Sequence, residues 1–221
     1  MTGPAPGSAG VLALLHTSPV HVPVFEALRE AHHPGLALRH LVREELLTAA
    51  AAEGPASVAA EVEGAVLRAA RDGAGAVLCT CSTLGGVAES ASAAAGVPVL
   101  RVDRPMAAEA VATGPRIVVL AALAETLEPT TGLIAEEARR AGREVAPRSV
   151  LVPGAWELFR SGDGEGYIAR VAAAAREVSG ADVLVLAQAS MAPARALLTG
   201  GPPVLSSPRP GLAAAARAVR G

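Results

Sequence analysis

Short apolar runs alternate along this chain with longer stretches whose apolar residues recur every three or four positions. The short runs, bounded by turn formers, read as strands buried on both faces, and the periodic stretches read as amphipathic helices. Residues 11–15 form the first predicted strand, and the turn His16-Thr17-Ser18-Pro19 follows it. Residues 19–32 are helical through Val22, Phe25 and Leu28, and Pro34-Gly35 ends that helix. A strand over 36–42 comes next, then helices over 44–52 and 57–72, the latter with Val58, Val62, Val66 and Ala69 at helical spacing. Residues 75–79 are the third strand, 86–95 a helix and 97–102 a fourth strand.

The pattern then starts again. Strands are predicted over 116–122, 148–152, 181–187 and 203–205, and helices over 128–141, 167–178, 192–198 and 211–219. Strands alternating with helices of this length predict an α/β fold with parallel sheets covered on both faces. Each half carries a third strand that ends in small polar residues: Cys79-Thr80-Cys81-Ser82-Thr83 in the first, Ala187-Gln188-Ala189-Ser190-Met191 in the second. The expected architecture is two pseudo-symmetric, flavodoxin-like lobes. Residues 1–106 form one lobe, completed by a C-terminal helix over 207–221, and 107–206 form the other. Asp103-Arg104-Pro105-Met106 falls at the hand-over and reads as a hinge or lobe interface. Equivalent loops placed face to face would build one interlobe site for a small ligand.

Composition narrows the function. With 221 residues and 51% hydrophobic content, the chain can bury a substantial core. A net charge of −2 and a pI near 6.2 argue against nucleic-acid and anionic-membrane partners. The apolar runs are strand-sized, too short to span a bilayer. Met1 to Gly10 lack the basic start and apolar core of a secretory signal. Two cysteines in one local run give no disulfide framework, and a Cys79–Cys81 bridge would be strained. A reduced, cytoplasmic protein is the expectation. All nineteen basic side chains are arginine, which removes a pyridoxal-phosphate Schiff base and a P-loop lysine together.

Chemistry is most legible at Cys81. It follows a predicted buried strand, where α/β sheets bind ligands beyond the carboxyl ends of their strands, and hydroxyls and glycines come after it. Such a thiol could be a nucleophile or a proton donor, with a pKa below the usual value of about 8.5 if it is activated. Cys79 reads as core packing, and a Cys-x-Cys metal site lacks further ligands. Trp156, Phe159 and Arg160 lie between Gly154 and Gly162, as a mobile flap or as an ordinary helix anchored by its aromatics.

Taken together, these segments resemble the aspartate/glutamate/hydantoin racemase superfamily, whose members work without cofactors. Cys81-Ser82-Thr83 matches its first catalytic cysteine motif, while Gln188 stands where the second cysteine is expected. Thr17 and Ser18 resemble the first substrate-binding turn, and the run from Ala124 to Thr130 its counterpart in the second lobe, with Thr126 either at the ligand or capping a helix. The resemblance implies Cys81 and Gln188 as the catalytic pair, with His16, Thr17, Ser18, Ser82, Thr83, Thr126, Ala189 and Ser190 around the substrate. His16 would sit near Cys81 if strands one and three are neighbours; a strand-end histidine bonded to backbone is the structural alternative. The expected function is a cofactor-independent isomerase or racemase that acts beside the carboxylate of a small acid through a single cysteine. A cysteine-dependent decarboxylase and a non-catalytic binding relative are the alternatives. Few charged residues are placed to read an amine or a second carboxylate, which points to an apolar or aryl substituent. The family often dimerises, and the alanine-rich helices suit a homodimer interface as well as a core.

Overall fold

The computed structural model describes residues 10–220, so the reading of Met1 to Gly10 falls, except for Gly10, outside the described residues. The chain forms two four-stranded parallel sheets. In the first, β1 (Val11–His16), β2 (Ala37–Val42), β3 (Ala74–Cys79) and β4 (Val99–Arg101) lie in the order β2-β1-β3-β4. In the second, β5 (Ile117–Ala121), β6 (Arg148–Leu151), β7 (Val183–Leu186) and β8 (Val204–Ser206) repeat that arrangement as β6-β5-β7-β8. Two flavodoxin-like lobes of an α/β protein result.

β1 as far as Leu15, and β5 throughout, are apolar because both of their faces are covered. Leu12 and Leu14 of β1 pack with Phe25 of α1 (His21–His32) and with Leu212 and Ala215 near the C-terminus. Ala13 and Leu15 turn the other way, onto α2 (Glu44–Glu53), α3 (Ala59–Arg71) and α4 (Ser82–Ser90) through Leu46, Val62, Val66 and Leu84. A short helix, α5 (Ser92–Ala95), leads to β4. In the second sheet, Val119 and Ala121 face α6 (Arg104–Thr113) and α7 (Leu127–Ala141). Val118 and Leu120 face α8 (Ala155–Arg160) and α9 (Gly164–Arg176). Each large aliphatic side chain so enclosed contributes roughly 1.5–3 kcal/mol. The last helix, α10 (Pro208–Ala218), returns to the first sheet, where Leu212, Ala215 and Ala216 join its core.

Three elements differ from the expected pattern. The hand-over at Asp103 is the start of α6, whose Pro105 sits in the first turn and whose Met106, Ala107, Ala110 and Val111 form a buried stripe. Helix α4 begins at Ser82 rather than at 86, so Gly85 and Gly86 are helical. Gly85 has a packing reason: a Cβ there would stand 2.8 Å from Arg101 Cβ and 2.9 Å from its Nε. Finally, Ala189–Leu197 winds as a 3₁₀ segment instead of an α-helix, and Pro193 within it has no N–H to donate. No helix among the described residues is long and apolar enough to cross a membrane.

Candidate active site

Each third strand passes to a helix through one extended residue. Beyond β3, Thr80 leads to Cys81, which caps α4 with φ −99° and ψ 116°. Beyond β7, Ala187 leads to Gln188, which caps the 3₁₀ segment with φ −105° and ψ 141°. Both positions are second after the strand, so the lobes present them equivalently. The two loops also touch, since Ser82 Oγ donates to the carbonyl of Ala187 across 2.8 Å. Cys81 and Gln188 line one cleft between the lobes.

Cys81 is half-buried, and burial raises its thiol above the ordinary value. The Thr17 hydroxyl, the N–H groups of Leu84 and Thr83, and the Thr83 hydroxyl pull the other way without overcoming it. Of the two roles left open for this thiol, nucleophile and proton donor, the upward shift suits the proton donor. In the open cleft the favoured form is the neutral thiol, a proton donor.

Gln188 is oriented by its backbone neighbour. Its Oε1 accepts from the N–H of Ala122 at 2.6 Å, which assigns the amide and leaves the NH₂ end as the donor for a ligand. Ala122 directly follows β5 as Thr17 follows β1, so Cys81 and Gln188 each lean on the same place in their own lobe.

Hydroxyls and aromatics complete the lining. Thr17, Ser18, Thr83, Thr126, Ala189 and Ser190 are all brought to the cleft. Ser82 lines it too, though its proton is engaged by Ala187. Ser190 Oγ lies 2.9 Å from the phenol oxygen of Tyr167, whose pKa burial pushes up to about 12. Trp156 and Phe159 of α8 stack with ring centroids 5.1 Å apart and form a flat wall, joined by Leu47 and Leu123. Among the described residues, no Asp, Glu or Arg side chain lines the cleft. Charge appears only outside, where Glu44 and Arg160 border a wider cavity that shares Leu47, Leu123, Trp156 and Phe159.

His16 requires a correction. It is fully buried and does not line the cleft; Nδ1 lies 2.7 Å from Thr80 Oγ1 and Nε2 lies 2.8 Å from His40 Nδ1. Strand alternation explains it: the parity that sends Leu12 and Leu14 toward α1 sends His16 there too, 5.6 Å from the Phe25 ring. The histidine in the cleft is His21, whose pKa burial lowers to about 4, so its ring is neutral. Sequence reasoning missed it, together with Thr80, Leu47 and Leu123. Only its place at the start of α1, just beyond the Thr17-Ser18 turn, could have pointed to it.

A family model described as Asp/Glu/Hydantoin racemase matches residues 22–216 of the chain. The chain belongs to that family. Solved structures carry the same architecture at low sequence identity. A racemase-family protein from Yersinia pestis, named as an Asp/Glu racemase, is 15% identical with a TM-score of 0.66, covering 96% of this chain and 100% of its own. Glutamate racemase from Bacillus anthracis is 15% identical with a TM-score of 0.76, covering 97% and 83%. A sulfate-associated variant of arylmalonate decarboxylase is 20% identical with a TM-score of 0.60, covering 96% and 94%. At such identities the likeness concerns fold. Comparison with curated proteins finds no match. The family thus includes racemases and has a decarboxylase among its structural neighbours, so its enzyme class applies to this member at that coarse level.

Proposed function

We propose that this Asp/Glu/hydantoin racemase family member is a cofactor-independent enzyme in which Cys81 alone delivers a proton to the carbon beside the carboxylate of a small acid. The carrying observation is the unequal pair across the cleft: a protonated thiol on one wall, an amide that cannot titrate on the other. In this reading Gln188 occupies the position of the family's second cysteine. Two-thiol racemisation then lacks its second acid, and the reaction that needs only a proton donor is decarboxylation of a malonate-type acid. The bond from the α-carbon to the departing carboxylate breaks, its electron pair forms an enediolate, and carbon dioxide leaves. Cys81 gives its S–H proton to the α-carbon, and solvent restores it. The Gln188 NH₂ group, the first-turn N–H groups of α4 and the surrounding hydroxyls stabilise the enediolate oxygens, as donors aimed at developing negative charge do. The stacked Trp156–Phe159 wall and the uncharged lining suit an aryl or branched apolar substituent rather than an ammonium group.

Isomerisation at the α-carbon is the second reading, favoured by the neutral His21 ring, the one other titratable side chain lining the cleft among the described residues. Incubation of aryl- and alkylmalonates and of the matching monocarboxylic acids in D₂O tests both. Carbon dioxide release with one deuterium at the α-carbon supports the first. Deuterium exchange of the monocarboxylic acids without carbon dioxide supports the second. Cys81→Ala should abolish either; full turnover in that variant, or inert acids with a folded wild type, overturns the proposal.

A further inference from the structure

A chain of polar side chains runs from the cleft floor to the protein surface behind it. Thr80 lines the cleft. Its Oγ1 lies 2.7 Å from His16 Nδ1 and 3.1 Å from the Leu15 carbonyl. His16 Nε2 lies 2.8 Å from His40 Nδ1, and His40 Nε2 lies 3.1 Å from Glu26 Oε1, a half-exposed carboxylate also bonded by Arg29.

Counting donors allows two proton states. With His40 neutral, its Nε2–H donates to Glu26, so His40 Nδ1 must accept from His16 Nε2–H. His16 Nδ1 then accepts the Thr80 hydroxyl proton, and the Thr80–Leu15 contact holds no proton. With one proton more, His40 donates from both nitrogens. His16 then carries its proton on Nδ1 and donates to Thr80, and Thr80 donates to Leu15. All four contacts now pair a donor with an acceptor.

We propose that His40 is a positioning residue: one proton taken up on its ring reverses this hydrogen-bond chain and turns its positive ends toward the floor of the cleft. In the neutral state the N–H and O–H donors of Thr80, His16 and His40 all point away from the cleft; in the protonated state His40 Nδ1–H and His16 Nδ1–H point toward it, while Thr80 donates to the Leu15 carbonyl and His40 Nε2–H still donates to Glu26. Among the described residues no charged side chain lines the cleft, so the direction of these dipoles changes how an anion is held there. Proton uptake and anion binding then strengthen each other reciprocally.

The other groups facing the pair are compatible with this assignment. On α1, His21 stands 6.3 Å from His16 and stays neutral down to about pH 4, while Glu26 and Arg29 form the outer ion pair. Thr80, just beyond β3, is the polar neighbour there, and beyond β2 the Arg43 side chain pairs with Glu45. His16 itself is held neutral to about pH 3 by burial, with the charges of His40 and His21 adding to the effect, so the extra proton resides on His40.

The anion link rests on the carboxylate reading of the cleft, whereas the tautomer switch stands without it. Nitrogen-15 histidine NMR between pH 5.5 and 8.5 reads the switch directly. His16 should change from the Nε2–H to the Nδ1–H tautomer on acidification, in step with proton uptake by the His40 ring. A single His16 tautomer through the titration of His40 overturns the proposal. Phenylacetate, ionised over this range, then serves as the probe anion, with Trp156 fluorescence as the signal. Its affinity should rise on acidification by a factor on the order of ten, and the rise should vanish in His40→Leu. If that variant does not fold, Glu26→Gln replaces it and should shift the tautomer midpoint to lower pH. A switching His16 with no phenylacetate binding at any pH faults the carboxylate reading alone. Binding with the same pH dependence in wild type and His40→Leu faults the coupling.

Discussion

A thiol that burial holds in its protonated form alkylates slowly at neutral pH, because the thiolate is the nucleophile. Reaction of Cys81 with iodoacetamide should therefore keep rising with pH past the range of free cysteine. Cys79 adds nothing to that signal, being enclosed in the first core with its pKa pushed further up. Mass spectrometry of the alkylated peptide checks this; a plateau reached below pH 8 would show a preformed thiolate and remove the proton-donor role. Cys81 and Gln188 were legible in the sequence because both follow a short apolar run directly, and parallel strands open their ligand crevice at that end. His16 was not, since proximity along a strand end does not say which face a side chain takes. Counting parity from Leu12 would have decided it.

At the level of elements, α4 carries the site and Arg101 determines how close it comes. The Arg101 guanidinium, buried against Asp103 at 2.7 and 2.9 Å, also donates to the carbonyls of Ser82 at 3.3 Å and Pro129 at 3.4 Å. It thus ties the first turn of α4 to α7 of the other lobe. Gly85→Ala gains helix propensity of about 1 kcal/mol but drives a methyl into that guanidinium, a clash costing about 1–3 kcal/mol. The net expectation is a less stable protein with altered Cys81 reactivity. Gly86→Ala meets only Arg101 Nη1 at 3.5 Å, so it should be stabilising by up to about 1 kcal/mol. Urea denaturation of the two variants should give opposite signs; equal shifts would separate Arg101 from the placing of α4. The Gly85-Gly86 pair also explains why the start of α4 was misplaced: glycines that signal a loop in isolation here admit a neighbouring side chain. The stripe of α6 was readable from Met106, Ala107, Ala110 and Val111, but the Asp-Arg-Pro run read only as a hinge or lobe interface and not as a helix start. The inner strands, by contrast, follow from apolar content alone, while the edge strands β2 and β6 carry Arg39, His40 and Arg148.

Across the whole molecule, the two lobes are joined by charge as well as by the cleft. Arg104 at the start of α6 pairs with Glu89 of α4 and with Glu136 and Glu137 of α7. Acid should weaken the fold before these carboxylates titrate. His16 and His21 have folded pKa values of about 3 and about 4, below the unfolded 6.5. Between pH 6.5 and 5 the unfolded chain binds protons at these positions that the folded chain refuses, so stability falls as pH falls, by a few kcal/mol at most. Chemical denaturation at pH 7, 6 and 5 reads this slope, and a flat profile would contradict the burial of the two rings. The cleft's inequality carries a further geometric consequence. A trigonal carbon offers two opposite sides, and here sulfur stands at only one of them. On the proposed mechanism hydrogen arrives from a fixed direction at each turnover, and a prochiral acid should leave as a single mirror form.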